Sequence, residues 1–353
     1  MKHSKTIAFL IHCGIGNLIL ATPCLRALRS IAPDANLYLL TSPETARILE
    51  DWETVDLIVS EDNLAFLKSL RRPADCLILS PAGALWDSTM KDSAQRVMTQ
   101  SINGPWRKHE VEYNMDFAAA LGYTGPVPSC QVKISDRNFD NANKAFKKYG
   151  IDSDRAYICV NASYRKYDHW HLKHWGDEKY VELIREIRKT LPFDVILIGD
   201  RSDIERGNHI AHQANVVGED AGLTYNLCGF SCDIKDTAAI ISDAVCVIGN
   251  DGGLMHIAAA VHVPTVTIFT FTDSIKNRPW HNPFVPNRVV MNPCQHRISC
   301  EHGQWEKCRS NGCLDVPVNI VLEAVLDLVN SIRQPILECK RSGIPSRSGC
   351  AGV

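Results

Sequence analysis

No apolar run in this chain approaches the roughly 20 residues that a membrane-spanning helix requires. The segment from Ile7 to Ala21 comes nearest, but His12, Gly14, Gly16 and Asn17 interrupt it, and no small-residue cleavage pattern follows. It reads as a strand, a glycine loop and a helix, and no leader or transmembrane segment is expected. The chain also lacks a strong charge of either sign: 38 Lys and Arg stand against 40 Asp and Glu, a formal net charge of −2. No overall field therefore draws nucleic acid or an anionic membrane. Paired C-x-x-C motifs are missing, although cysteine is plentiful at 14. Ten of these thiols are scattered singly, and Cys76, Cys159 and Cys246 lie inside apolar runs, as small buried hydrophobes do in a reducing compartment. A complete dinucleotide fingerprint is absent too, because Ile19 occupies its third glycine position and no acid ends the second strand.

What remains is a soluble, globular composition: 353 residues, 45% hydrophobic and 22% charged, long enough for two domains. Short apolar strands alternate with helical patterns. The first series has strands at Thr6–Ile11, Asn36–Leu40, Asp56–Val59 and Asp75–Leu79, with helices at Leu18–Ile31, Pro43–Glu50 and Asn63–Leu70. The pattern loosens through the Gly- and Pro-rich stretch up to Pro128, and a charged helix over Asp136–Tyr149 stops at Gly150. The second series has strands at Ala156–Asn161, Phe193–Ile198, Ala214–Val217, Ala244–Gly249 and Pro264–Phe269. Its helices are Asp177–Thr190, Ser202–His212, Ile234–Ser242, Gly252–Val261 and Val318–Ile332. Continuous apolar strands separated by helices predict two α/β domains with parallel sheets, 1–150 and 151–333, and a disordered tail over 334–353.

Two strand–glycine–helix junctions carry the chemistry. At Gly249-Asn250-Asp251-Gly252-Gly253-Leu254-Met255-His256 a buried strand turns into a helix that begins on glycines. Bare backbone N–H groups and the helix dipole suit a diphosphate there. Asp251 could cap the helix or accept from sugar hydroxyls, and His256, one turn in, lies on the face of Gly252 and Gly253. At His12-Cys13-Gly14-Ile15-Gly16-Asn17 a similar junction either holds an anion or only lets a helix pack. Asp152-Ser153-Asp154 mimics a metal-holding acidic pair but reads as a solvated turn.

These segments resemble glycosyltransferase family 9, the ADP-heptose heptosyltransferases. Asp251-Gly252-Gly253 through His256, the alanines 258–260 and Pro264 are similar to the family's D-[ST]-G-x-x-H-x-A-A-A-x-x-x-P, with Gly252 in place of its hydroxyl residue. Phe269–Asp273, Asn226–Gly229, Lys173-His174-Trp175 and Gly14 through Pro23 to Leu28 match further family segments in order and spacing. The resemblance implies the glycosyltransferase B fold, two Rossmann-like domains facing a central cleft. The acceptor side is then the first domain, with the loop Gly14, Gly16 and Asn17. The donor side is the second, with Ser163, Asp251, Gly252, Gly253, Leu254 and His256. It implies transfer of a sugar, heptose first, from a donor such as ADP-heptose to a lipopolysaccharide-core, other surface-glycan, lipid-linked or protein acceptor. It further implies a cytoplasmic enzyme, peripheral at the inner membrane, with no cofactor at the reaction centre. The alternatives are an isomerase or a non-catalytic nucleotide-sugar binder on the same fold.

Lys173, with Arg165 and Lys166 nearby, would hold the leaving diphosphate. Asn17 stands where the family has an aspartate acting as general base, and an amide cannot accept that proton. His12 is the first substitute, with His109 and Glu110 behind it. Finally, Cys294, Cys300, Cys308 and Cys313 cluster with gaps of five, seven and four residues. Four thiolates so spaced could close a structural zinc or iron site, remain free, or pair as disulfides. Some members of the family have a similar iron-binding segment here.

Overall fold

The computed structural model describes residues 5–80, 92–100, 108–164, 168–216, 222–280, 285–292 and 312–341. Its first half is a five-stranded parallel sheet of β1 (Thr6–Leu10), β2 (Asn36–Leu40), β3 (Leu57–Val59), β4 (Cys76–Leu79) and β5 (Val97–Thr99), in the order β3-β2-β1-β4-β5. The second is a six-stranded parallel sheet of β6 (Tyr157–Asn161), β7 (Asp194–Leu197), β8 (Thr224–Asn226), β9 (Val247–Asn250), β10 (Thr265–Phe269) and β11 (Asn287–Met291). Its order, β11-β10-β9-β6-β7-β8, reverses between β6 and β9, as the first reverses between β1 and β4.

Helices flank these sheets. In the first half they are α1 (Ile15–Ile31), α2 (Pro43–Ala46), α3 (Asn63–Ser69) and α4 (Glu110–Ala120), and α5 (Asp136–Tyr149) follows. The second half carries α6 (Asp177–Thr190), α7 (Ile204–Asn215), α8 (Ile234–Ser242), α9 (Gly253–Ala260), the short α10 (Ser274–Asn277) and α11 (Val318–Arg341). The central strands are covered on both faces: β4, β6, β7, β9 and β10 are buried along their whole length.

The segment 7–21 is β1 and the start of α1, as its interrupted pattern predicts. Asp152–Asp154 is an exposed turn in which Asp152 Oδ1 accepts from the Asp154 amide. Cys76, Cys159 and Cys246 are buried, free thiols.

Four differences matter. Of the expected strand over 214–217, Ala214 and Asn215 end α7, with Ala214 packed inward, and Val217 lies outside the described residues; the strand of that region is β8. β5, β11 and α4 lie where the pattern is weak: each of these strands has only part of its residues buried, and α4 has nearly equal faces. α5, on the first side of a boundary at 150, packs against α8 of the second half through Asn138 and Asn141, whose amides donate to Asp236. And the backbone of α11 continues to Arg341, past the expected end at Ile332 and into the segment expected to be disordered.

Candidate donor and acceptor site

In an open parallel sheet, ligands bind beyond the carboxyl ends of strands where the order reverses. Both glycine junctions occupy such points. β1 runs into His12–Gly14 and α1; β9 runs into Asp251–Gly252 and α9, beside the end of β6 at Asn161–Ser163. The two helix starts face each other across the halves. A Cβ on Gly16 would stand 2.5 Å from His256 Cδ2, and one on Gly253 would stand 3.4 Å from Ile15 Cβ. A side chain at Gly16 would collide with His256, whereas one at Gly253 would only reach ordinary contact with Ile15. The positive ends of two helix dipoles therefore converge at one place.

Asp251 is buried, and its carboxylate receives Lys173 Nζ at 2.7 Å and Thr272 Oγ1 at 2.9 Å. Lys173 sits on a helical turn, Asp168–Lys173, that is anchored at several points. The Leu172 carbonyl accepts from Thr270 Oγ1 at 2.7 Å, and the Trp175 amide donates to Asn250 Oδ1 at 3.2 Å. Asn250 also accepts from the buried Tyr180 hydroxyl and donates to the Ser163 carbonyl. Asp251 and Lys173, expected to contact the sugar and the phosphates separately, thus form one ion pair beside the start of α9. Thr272, Thr270 and Asn250, which position them, lie inside the motif segments, but their roles are not legible there because each acts through another residue. Ser163 is brought to the same end of the sheet, but its hydroxyl is buried without a hydrogen-bond partner among the described residues and turns toward Gly199. Leu254 is buried on the first turn of α9. Arg165 and Lys166 lie outside the described residues.

His256 is fully enclosed. Burial pushes its pKa down to about 4, against a partial lift from Asp251, so the ring is neutral near pH 7. Its Nδ1 has no hydrogen-bond partner among the described residues.

On the first-half side, Asn17 is half-buried in the first turn of α1. His12 Nε2 lies 2.5 Å from Asn63 Nδ2; the amide nitrogen donates, so this ring nitrogen accepts. His109 caps α4. Its Nδ1 accepts from the Val111 amide, its Nε2 donates to the Arg278 carbonyl at 2.7 Å, and burial pushes its pKa to about 4. With both nitrogens so engaged, His109 is a structural residue at the junction of the halves, and its candidacy as a base falls away. Asn226–Gly229 is also structural: the Asn226 amide holds the α7 carbonyl of Ile204, and Gly229 turns with φ +66°.

Of the cysteine cluster, Cys294, Cys300 and Cys308 lie outside the described residues; Cys313 is buried on a turn before α11. Among the described residues no group of three or more His, Cys, Asp or Glu side chains converges, and no helix is long and apolar enough to cross a membrane.

Two parallel sheets of this order, meeting at paired glycine-started helices, make the glycosyltransferase B fold. The chain belongs to glycosyltransferase family 9, the heptosyltransferases, whose model matches residues 80–305. Over 305 residues it is 22% identical to lipopolysaccharide heptosyltransferase 3 of Escherichia coli K12, covering 75% of this chain and 82% of that one. The E. coli ADP-heptose lipopolysaccharide heptosyltransferase II superposes with a TM-score of 0.67 at 18% identity, covering 93% of this chain and 99% of that one. The iron-containing dodecameric heptosyltransferase TibC of enterotoxigenic E. coli, solved with ADP-D-β-D-heptose, gives a TM-score of 0.57 at 14% identity, covering 94% and 78%.

Proposed function

We propose that this enzyme transfers heptose from ADP-heptose to a sugar of the lipopolysaccharide core. The observation that carries the reading is the convergence of Lys173, Asp251 and the start of α9 at the reversal point of the second sheet. A diphosphate placed there meets backbone N–H groups and the Lys173 ammonium, which offset the charge that grows as the glycosidic bond to phosphate breaks. Asp251, once it shares Lys173 with the phosphates, has an oxygen for sugar hydroxyls. Ser163, Gly252, Gly253, Leu254 and His256 line the donor side, and the loop Gly14–Asn17 the acceptor side. No cofactor takes part in the transfer step. The names of the relatives support heptose and the lipopolysaccharide acceptor. Such an acceptor places the enzyme in the cytoplasm, in passing contact with the inner membrane. The cysteines 294, 300, 308 and 313 hold a structural iron or zinc, a reading supported by the iron in TibC.

A thermal-shift panel of nucleotide sugars, followed by transfer from ADP-heptose to inner-core oligosaccharides, tests this. A ligand at 100 times its Kd stabilises by about 2.7 kcal/mol. ADP-heptose should raise the melting temperature and be consumed only with acceptor present. A panel in which no nucleotide sugar shifts the melt refutes the donor site.

A further inference from the structure

The transfer step needs a group to take the proton of the acceptor hydroxyl, and Asn17 cannot be that group. The side chains around the glycine loop of the first half narrow the choice. His12 Nε2 already accepts from Asn63, which leaves the proton on Nδ1. His109 has both nitrogens engaged. Cys13, mostly buried, has its thiol pushed up to about 12 by desolvation, with the charge of Glu110 adding to the effect. His256 belongs to the donor helix and resists protonation because it is buried.

Glu110 is different. It opens α4, whose first turn lies at the carboxyl end of β4, where Asn114 Oδ1 accepts from the Ser80 hydroxyl. Its side chain is fully buried, and neither carboxylate oxygen has a hydrogen bond among the described residues. A fully buried carboxylate with no hydrogen bond at ordinary length, held only by a longer ion pair, is poorly compensated as a packing element. The one ion pair it makes among the described residues is to the other half: the Lys276 ammonium of α10 stands 3.7 Å from Oε2, while the neutral Cys13 thiol of the glycine loop lies on the first-half side. Because Lys276 comes from the second half, Glu110 sits where the two halves meet.

We infer that Glu110 is the proton acceptor of the transfer reaction, in the role that Asn17 cannot fill. This rests on the function proposed above. The acceptor oxygen bonds to the anomeric carbon of the donor as the bond from that carbon to the phosphate oxygen breaks. The nucleoside diphosphate leaves with the electron pair, and the hydroxyl proton passes to a Glu110 carboxylate oxygen. Burial raises the pKa of Glu110 above the ordinary carboxylate range, against the pull of Lys276, which makes it a stronger base than an exposed carboxylate.

The test compares parent, Glu110→Gln and the double variant Glu110→Gln with Asn17→Asp, using ADP-heptose and inner-core oligosaccharides of graded length. Loss of a general base costs on the order of 10²–10⁴ in rate. Glu110→Gln should lose at least a hundredfold in kcat while its ADP-heptose thermal shift stays that of the parent. Adding Asn17→Asp should restore transfer, with the rising limb of the pH profile now at the ordinary carboxylate position. If Glu110→Gln does not fold, Lys276→Met replaces it: loss of that ammonium should move the rising limb of kcat/KM to higher pH. Equal transfer by parent and Glu110→Gln, or an unmoved limb in Lys276→Met, overturns the assignment of Glu110 alone. A parent that transfers no heptose overturns the function beneath it.

Discussion

Gly16 on α1 and His256 on α9 come from opposite halves of the chain, and a Cβ on Gly16 would stand 2.5 Å from His256 Cδ2. The imidazole fills the space that a side chain on α1 would take. Gly16→Ala should therefore destabilise by about 1–3 kcal/mol, the usual cost of overpacking. His256→Ala in the same chain should return most of that loss, a non-additive cycle measurable by denaturant unfolding. Simple addition of the two effects would contradict the contact.

Gly252 departs from the family's hydroxyl residue, yet its geometry accepts one. Its φ of −176° is extended, and an added Cβ would meet nothing nearer than the Asn250 carbonyl at 3.7 Å. Gly252→Ser should fold as the parent does and add a donor at the diphosphate. A hydrogen bond to a charged group is worth about 1.5 kcal/mol at the low end, so the Kd for ADP should fall about tenfold. An unchanged Kd by calorimetry would place the diphosphate elsewhere.

Lys173 has two duties, to the donor and to Asp251. Lys173→Ala strands the buried Asp251 carboxylate, which keeps the hydrogen bond from Thr272 Oγ1 but loses its cation. Breaking such a pair costs on the order of 3 kcal/mol. Removing one donor to a developing anion lowers turnover by roughly 10²–10³-fold. Both a lowered melting temperature and that loss of kcat are expected; Lys173→Ala with parent kcat would exclude the electrostatic role.

The two buried histidines, 109 and 256, set an acid limit. Both have folded pKa values near 4, depressed by desolvation from the usual value of about 6.5. As pH falls through that window the unfolded chain binds protons that the folded chain does not, so stability drops on acidification. Glu110, with its raised pKa, works the other way over its part of the range. His256→Gln should flatten the slope of stability against pH by about 1.4 kcal/mol per unit between these values. An unaltered slope in chemical denaturation would show that His256 is already charged.

The cysteine cluster predicts metal in the purified protein. Iron or zinc should appear near one equivalent by elemental analysis, and Cys313→Ser should lose it together with several degrees of melting temperature. Metal-free protein of native stability would end that reading.

Much of the site is legible in the sequence because glycine at a strand-to-helix junction has a local cause. Gly252-Gly253 starts α9 and Gly14 precedes α1, each at the carboxyl end of its strand. α5, α6 and α8 show clear amphipathic spacing and were placed to the residue. β5, β11 and α4 were missed because their cover is uneven, and hydrophobic period is a record of cover. Glu110 lies in one of these missed elements, so nothing local marks it as buried.

The sequence by itself determined the class of architecture, the two glycine-started helices and the family, since all three rest on neighbours within strand–loop–helix units and on the order of those units. Only the tertiary structure decided how those units meet. The pairing of Lys173 with Asp251 joins residues 78 positions apart. The engagement of His109 by Arg278 joins residues 169 positions apart. Burial and hydrogen-bond supply, which separate a structural histidine from an unpartnered carboxylate, are properties of the packed whole. The vacancy that Asn17 leaves is read from the chain; that Glu110 is a fully buried carboxylate beside Lys276 of the other half is decided only by the packing.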